Sequence, residues 1–387
     1  MNTEMNESHT PSSDEWERRL LFETSAGEQV WVEDSSILVS LPPGRCTLTT
    51  SWVNGGFQKD VDAIFNHKIP HKMSDSHELE GGSIPAYLEI VAHRLGVDPS
   101  RSCGLLTAAN MRNVSIVTHS FRGLEVTAIV TAGIEINGGR AGDPASYYQE
   151  DARCEPIGGT INTILLIGAN LPPHAMTRVV MTATEAKAAA LQQIMAPSKY
   201  SSGIATGSGT DMIAVVTDTT SSLSLTDAGK HSKLGELIGK CVIEATQESL
   251  DRQSELSPLS QRDMLVRLER FGIDEVRYWK VASTLDGENR KAHFLADLRE
   301  LSRTPSIVAA EVSLLHLVDE IAWGMIPENA GKHAAFGLMR QLPLILNMPQ
   351  GRSQMIPVDE LLSERESILD NWVKVTAWVA KNRSCMQ

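Results

Sequence analysis

His231 and Asp211 are the side chains whose surroundings point most directly to chemistry. An imidazole titrates near neutrality, and HSKLGELIGK reads as a helix that opens at His231 and Ser232. The positive end of a helix disfavours the imidazolium, which biases such a histidine toward the neutral form that serves as a base. A surface histidine beside a helix cap is the plainer alternative. Asp211 closes the segment GSGTD, Gly207 to Asp211, and opens the apolar run MIAVV. A carboxylate entering an apolar strand needs a partner, so Asp211 orients a histidine, binds a ligand or caps the turn. The N–H groups around Gly207 and Gly209, with the Ser208 and Thr210 hydroxyls, can grip amide groups or an oxyanion. The alternative is a tight turn that needs glycine for positive φ. The order helix, loop, strand, with no following GK[ST], argues against a phosphate loop. It argues equally against a nucleophile elbow, which follows a strand and opens a helix.

Further polar groups sit where structure and function compete. In TEAK, Glu185 and Lys187 fall on different faces of a helix; Glu185 is the one expected to face a site, with Lys187 solvated. Thr184 is a nucleophile only if a base lies beside it, and otherwise an ordinary helix hydroxyl. Asn162 and Thr163 lie inside a strand of Ile and Leu, either as hydrogen-bonded structure or as the wall of a site. Asn54 beside Gly55 and Gly56, and Arg140 with Asp143 in GGRAGDP, present the same choice. His67, His119 and His174 are isolated and read as structural or surface groups. No HExxH, HxH or CxxC occurs, so no metal site is expected.

The net charge of −13 and the lack of a basic stripe disfavour a nucleic-acid footprint. The five cysteines are scattered and odd in number, which fits reduced thiols in a cytoplasmic protein. MNTEMNESHTPSSDEWE has no apolar core and is not expected to be a signal peptide. The apolar run ILLIGANLPPHAM is too short and broken to span a bilayer.

A polar tail over 1–16 precedes RLLFETSAGEQVWVEDSSILVSL, which reads as three short strands, the first two a hairpin around Ala26 and Gly27. CTLTTSWVNGG extends the pattern to Gly55 and Gly56. Ser83 caps a helix with Pro85 in its first turn. LEVTAIVTAG, TINTILLIGA and DMIAVVTD are strands, and Thr177 to Met195 is a helix rich in small residues. Leu234, Leu237, Ile238, Cys241, Val242 and Ala245 form one apolar helical stripe. Strands that arrive in pairs predict an α+β fold, a mixed or antiparallel sheet with packed helices in a layered sandwich. That domain is expected over 17–250, with a linker over 251–257. A mostly α-helical domain is expected over 258–387, where Ser260 and Asp263 approximate a capping box.

TAGIEINGGRAGDP (Thr131 to Pro144), GGTINTILLIGANL (Gly158 to Leu171), the stretch from Thr184 to Val242, and WVNGGF (Trp52 to Phe57) occur in an order that resembles the adenosylcobinamide amidohydrolase (CbiZ) family. The resemblance spans roughly residues 20–247. It implies cleavage of the amide that joins aminopropanol to the corrin ring, giving adenosylcobyric acid and 1-amino-2-propanol. An acidic protein does not repel the positive cobalt centre of such a substrate. On this reading His231 is general base or acid, and Asp211 and Glu185 are orienting or acid/base carboxylates. Gly207, Ser208, Gly209 and Thr210 bind the reacting amide, and Asn54, Gly55, Gly56, Arg140, Asn162 and Thr184 complete the binding set. The corrinoid is substrate, so no separate cofactor is implied, and attack by water or by a Ser or Thr hydroxyl both stay open. The segment DEIAWGMIPENAGKHAAFGLMR, Asp319 to Arg340, resembles the CobZ-type α-ribazole phosphatases, but VDELLSER stands where a later paired-aspartate segment is expected. A degenerate or purely structural helical domain is expected from that departure. The rival readings are a non-catalytic corrinoid-binding protein and a bifunctional amidohydrolase and phosphatase; a homo-oligomer is compatible with each.

Overall fold

The computed structural model describes residues 18–33, 35–70, 76–145, 160–287, 289–347 and 356–382. The expected tail over 1–16 and the glycines Gly158 and Gly159 lie outside them. The chain forms two compact units, one from 1–196 and 204–255, the other from 197–203 and 256–387.

In the first unit the strands are β1 (Arg19–Glu23), β2 (Gln29–Glu33), β3 (Ser36–Ser40), β4 (Arg45–Thr49), β5 (Gly56–Lys59), β6 (Ala63–Lys68), β7 (Ser102–Thr107), β8 (Ser115–Phe121), β9 (Leu124–Gly133), β10 (Gly138–Gly139), β11 (Thr160–Ile167), β12 (Gly207–Ser208) and β13 (Met212–Asp218). Two large sheets result, in the orders β1-β2-β3-β6-β7 and β5-β4-β13-β11-β9-β8. Only β6 with β7 and β11 with β13 pair in parallel among these strands, so the sheets are mixed. The helices are α1 (Ile84–Arg94), α2 (Pro173–Gln193) and α3 (Lys233–Ser254).

Side-chain alternation decides the layering. On β3 and β6, Ile37, Val39 and Ile64 join a core with Ile129, Ile164, Leu166, Ala214 and Val216 of the second sheet. Their neighbours Leu38, Ala63 and Phe65 point the other way, onto Tyr87, Leu88, Val91 and Ala92 of α1. Helix α3 lies on the far face of the second sheet, along β8 and β9, with α2 beside it. The apolar stripe expected on α3 is its buried face. The first unit is thus a layered sandwich of helix, sheet, sheet and helices, as the α+β expectation has it.

A buried polar cluster pins each end of the inter-sheet layer. At one end Arg45, 3 % exposed, donates to Glu28 Oε1 at 2.5 Å, Asp218 Oδ1 at 2.7 Å and the Ala26 carbonyl at 2.9 Å. Removing one partner of such a buried pair costs about 3–5 kcal/mol. At the other end Asn162 Nδ2 of β11 donates to Asn66 Oδ1 of β6 at 2.8 Å, and Asn66 Nδ2 donates to Thr131 Oγ1 of β9 at 2.8 Å.

Three expectations need correction. Helix α2 begins at Pro173, not Thr177, because proline's fixed φ suits the first helical turn and its missing N–H costs nothing there. Helix α3 runs to Ser254 and stops at Glu255, whose φ is 57°, so the linker foreseen over 251–257 starts only after the helix. Asp263 alone caps the next helix, accepting from Leu265 N at 2.9 Å, while the Ser260 hydroxyl closes a turn on Ser257. Among the described residues no helix is long and apolar enough to cross a membrane.

The second unit is helical: α4 (Met264–Leu268), α5 (Glu275–Ala282), α6 (Lys291–Ser302), α7 (Pro305–Ala322), α8 (Glu328–Arg340), α9 (Leu342–Ile345), α10 (Val358–Leu361) and α11 (Ile368–Lys381). Trp372 and Tyr278 are fully buried in its core. Lys381 staples the end of α5, donating to the Ala282 and Leu285 carbonyls at 2.7 and 2.5 Å.

Glu311 of α7 is 0 % exposed and neither carboxyl oxygen has a hydrogen-bond partner among the described residues. Burial pushes its pKa up from 4.5 to about 9, against the pull of the Arg267 guanidinium. The folded chain therefore keeps a proton that the unfolded chain releases, so the contribution of Glu311 to stability is intact below pH 4.5 and lost as pH rises toward 9. E311Q should flatten that slope and be more stable than the parent near the upper end of the window. Thermal melts of both proteins across this range check it, and parallel curves would contradict it.

Candidate functional site

The parallel strands β11 and β13 begin side by side, with Asn162 opposite Met212, and two glycine-rich segments meet at that end of the sheet. Gly138–Gly139 pairs antiparallel with Gly207–Ser208. Thr206 N donates to the Gly139 carbonyl at 2.9 Å, and the Thr206 hydroxyl accepts from Ala141 N at 2.9 Å. The adjoining Arg140 loop is closed by Asp143, whose Oδ2 accepts from Arg140 N at 2.8 Å.

Asp211 is the hub. Its Oδ1 accepts from Ile161 N at 2.9 Å and from Ser208 Oγ at 2.6 Å. Its Oδ2 accepts from Ser208 N at 3.0 Å and forms an ion pair with Lys187 Nζ. A carboxylate has about four lone-pair sites, so Asp211 is saturated. The Lys187 and Asp211 side chains are each 14 % exposed, shielded enough for the pair to be stronger than a surface one. Gly207 makes the pair sterically feasible: a Cβ there would overlap the Asp211 carboxylate and lie 2.8 Å from Lys187 Nζ. One residue before Ile161, the Thr160 hydroxyl is buried with no hydrogen-bond partner among the described residues.

The structure divides the sequence-predicted residues. It brings together Asp211, Gly207, Ser208, Gly209, Thr210, Asn162 and Arg140. Asn162 has its groups engaged: it donates to Asn66 and to the Leu106 carbonyl and accepts from Met212 N at 3.2 Å. It is therefore a structural wall of the site.

The expected catalytic trio is not assembled. Glu185 pairs with Lys230 at 2.7 Å on the surface, and the adjoining turn is tied to the same face of α2 by Thr182 Oγ1, which donates to the Ala228 carbonyl at 2.7 Å. His231 stands exposed in that turn, just before the Ser232 cap. Lys187, two residues beyond Glu185, points about 200° round the helix to Asp211. Helix α2 thus separates His231 and Glu185 from Asp211. Thr184 is exposed and its hydroxyl bonds back to the Val180 carbonyl at 2.8 Å, a helix hydroxyl without a base.

Asn54 serves elsewhere, with φ 52° and Nδ2 donating at 2.7 Å to the carbonyls of both Pro99 and Ser102. Gly55 follows because a Cβ there would overlap the Ser51 carbonyl, and Gly56 takes φ +76° to turn into β5. These three hold a loop against the start of β7.

Sequence reasoning missed Lys187, Asn66, Thr131 and Thr160. Lys187 carried a readable signal. It lies four residues after Ala183 and three before Ala190, both buried, so a cation there has to meet a carboxylate.

The chain matches the family model described as adenosylcobinamide amidohydrolase (CbiZ) over residues 21–258. It is 32 % identical over 256 residues to an uncharacterized protein of Methanocaldococcus jannaschii, covering 63 % of this chain and 96 % of the relative. It is 26 % identical over 235 residues to an adenosylcobinamide amidohydrolase of Methanosarcina mazei, covering 59 % of this chain and all of that protein.

The geometry of the hub sets a contrast between two glycines of one loop. G207A should destabilise the first unit by about 1–3 kcal/mol, the usual cost of forcing an atom into packed space. G209A, whose added Cβ meets nothing within 4 Å, should change stability by less than about 0.5 kcal/mol. Denaturant melts of the two variants make the comparison, and equal effects would refute the steric account of Gly207.

Proposed function

Because this chain belongs to the adenosylcobinamide amidohydrolase family, we propose that it hydrolyses the aminopropanol amide of adenosylcobinamide, with the reaction centred on the Lys187–Asp211–Ser208 hub. The products are adenosylcobyric acid and 1-amino-2-propanol. The observation that carries this reading is the ion pair of Lys187 and Asp211 seated against Gly207 and Ser208 where the glycine-rich segments meet.

Hydrolysis of an unactivated amide needs stabilisation of the oxyanion that develops on the carbonyl, and protonation of the departing amine. Asp211, with its lone pairs taken, acts as a positioning residue: it fixes the Ser208 hydroxyl and the Lys187 ammonium. One N–H of that ammonium is engaged by Asp211, and the others, without a partner among the described residues, face a substrate carbonyl as negative charge grows there. Asn162 and the Arg140 loop bound the site. Water or the Ser208 hydroxyl adds to the carbonyl carbon, and the proton it loses passes to the amide nitrogen as the C–N bond breaks and the amine leaves; in the Ser208 route water then hydrolyses the ester.

Aminopropanol release from adenosylcobinamide, followed by mass spectrometry, is the direct test. K187Q should lower kcat by about 100-fold, the size of effect seen when a single oxyanion donor is lost. D211N should be similarly impaired, whereas H231A and E185Q should stay within about threefold of the parent, since neither touches the hub. Equal loss in H231A and K187Q would return His231 to the chemistry. Binding of adenosylcobinamide by the parent protein without release would leave a corrinoid-binding protein instead.

A further inference from the structure

Trp52 opens the segment WVNGGF, in which Asn54, Gly55 and Gly56 serve to hold a loop. The turn that carries it is braced on both sides. Thr50 N donates to the Ile213 carbonyl at 3.0 Å, and Ile213 N donates back to the Thr50 hydroxyl at 2.9 Å. Ser51 Oγ accepts from Gly104 N at 3.0 Å and from Val53 N at 3.2 Å. Ser51 is buried, Val53 packs on the α1 cluster, and Trp52 between them is 51 % exposed. Folding thus fixes the backbone of this tryptophan and leaves much of its apolar surface in water.

Sheet register puts Trp52 at the hub. Strands β4 and β13 are antiparallel neighbours. Trp52, two residues after Thr50, and Asp211, two residues before Ile213, therefore leave the sheet at the same end. Strand β9 ends there too, with Gly133 opposite Thr160. Ile136 follows three residues later, 73 % exposed, and two residues before Gly138, which pairs with Ser208. Gly209, next to Ser208, adds no wall, since a Cβ there would meet nothing within 4 Å. Strands β4, β13, β11 and β9 are consecutive in the sheet, so at roughly 4.8 Å per step the strand that leads to Trp52 and the one that leads to Ile136 lie about 14 Å apart. The hub sits between them.

Resting on the reading that this hub cleaves the aminopropanol amide of a corrinoid, we propose that Trp52 and Ile136 determine its specificity by covering apolar surface of the macrocycle on either side of the reacting amide. A short linear amide held at Lys187 and Ser208 does not span the two strand ends, whereas an amide hanging from a broad ring brings apolar surface to both. Burying an exposed indole and an exposed aliphatic side chain adds affinity. Neither group touches the reacting atoms, so both bind substrate and transition state alike and act on KM rather than kcat.

Steady-state release of 1-amino-2-propanol by the full chain, together with isothermal titration of cobinamide in its adenosyl and cyano forms, tests the proposal. The titrations are made in the K187Q background to hold turnover down. W52A and I136S should each raise KM and Kd about tenfold with kcat within about threefold of the parent, and W52F should recover most of the loss. Both forms of cobinamide should respond alike. Melts matching the parent show that the variants are folded, and I136S, in an exposed turn, carries the test alone if W52A unfolds. Parental KM and Kd in the folded variants, or a fall in kcat at parental KM, would overturn the proposal. Weakening confined to the adenosyl form would overturn it in favour of contact with the adenine. The titration needs no turnover: binding that depends on Trp52 and Ile136, without aminopropanol release by the parent, would sink the proposed reaction and support the ring contact.

Discussion

The first unit depends on a single constraint: β3 and β6 carry apolar side chains on both faces, so their sheet cannot leave either face in water. Ile37, Val39 and Ile64 need one cover, while Leu38, Ala63 and Phe65 need another. A second sheet meets the first need and α1 the second. Burying each large aliphatic side chain is worth about 1.5–3 kcal/mol, but that attraction has no direction and would let one sheet slide on the other. The polar clusters supply direction. Arg45 with Glu28 and Asp218 at one end, and Asn66 with Asn162 and Thr131 at the other, are satisfied in one register of the sheets. Any slip leaves buried polar groups without partners, which is costly in a low-dielectric interior.

That register also builds the hub. Asn162 and Met212 are paired neighbours on parallel strands, and Asp211 precedes Met212 in the chain. Its carboxylate therefore sits level with Ile161 N and with the turn at Ser208. Lys187 reaches it only because α2 presents its small-residue face to this side and Gly207 leaves room. The hub is thus a product of sheet register, helix orientation and one missing side chain. A carboxylate fixed by four donors is poorly suited to carrying a proton and well suited to holding other groups still.

What was legible in the sequence is what local periodicity and local hydrogen bonds decide. The α3 stripe, the first hairpin and the strands β9, β11 and β13 follow from spacing alone. The Ser208–Asp211 contact spans three residues and belongs to the same class. AIFNHK carries no alternation to mark it as a strand; it is buried on both faces, and Asn66 finds its partner 96 residues away. His67, read as structural, is so: its ring bonds Ser36 at 2.7 Å and Tyr87 at 2.9 Å. Helix geometry correctly put Glu185 and Lys187 on different faces, but which face meets the sheet is a tertiary fact. The exposed Glu185 was favoured over the half-buried lysine, and His231 with it.

The second unit stands apart in its physical basis. The family match stops at residue 258, close to where the first unit ends at Glu255, and the Methanosarcina mazei relative is covered in full by 235 aligned residues. The helical unit accordingly has a core of its own and several ion pairs within itself. Asp319 of α7 has both oxygens taken by Arg270, at 3.0 and 2.6 Å. Lys381 gives its protons to the end of α5. Glu311 breaks this rule: fully buried and without a hydrogen-bond partner among the described residues, it is accommodated by staying protonated. A carboxyl that persists in such a place is tolerated because the surrounding helices bury enough apolar surface to outweigh it, so the packing of this unit, rather than its polar groups, determines its shape.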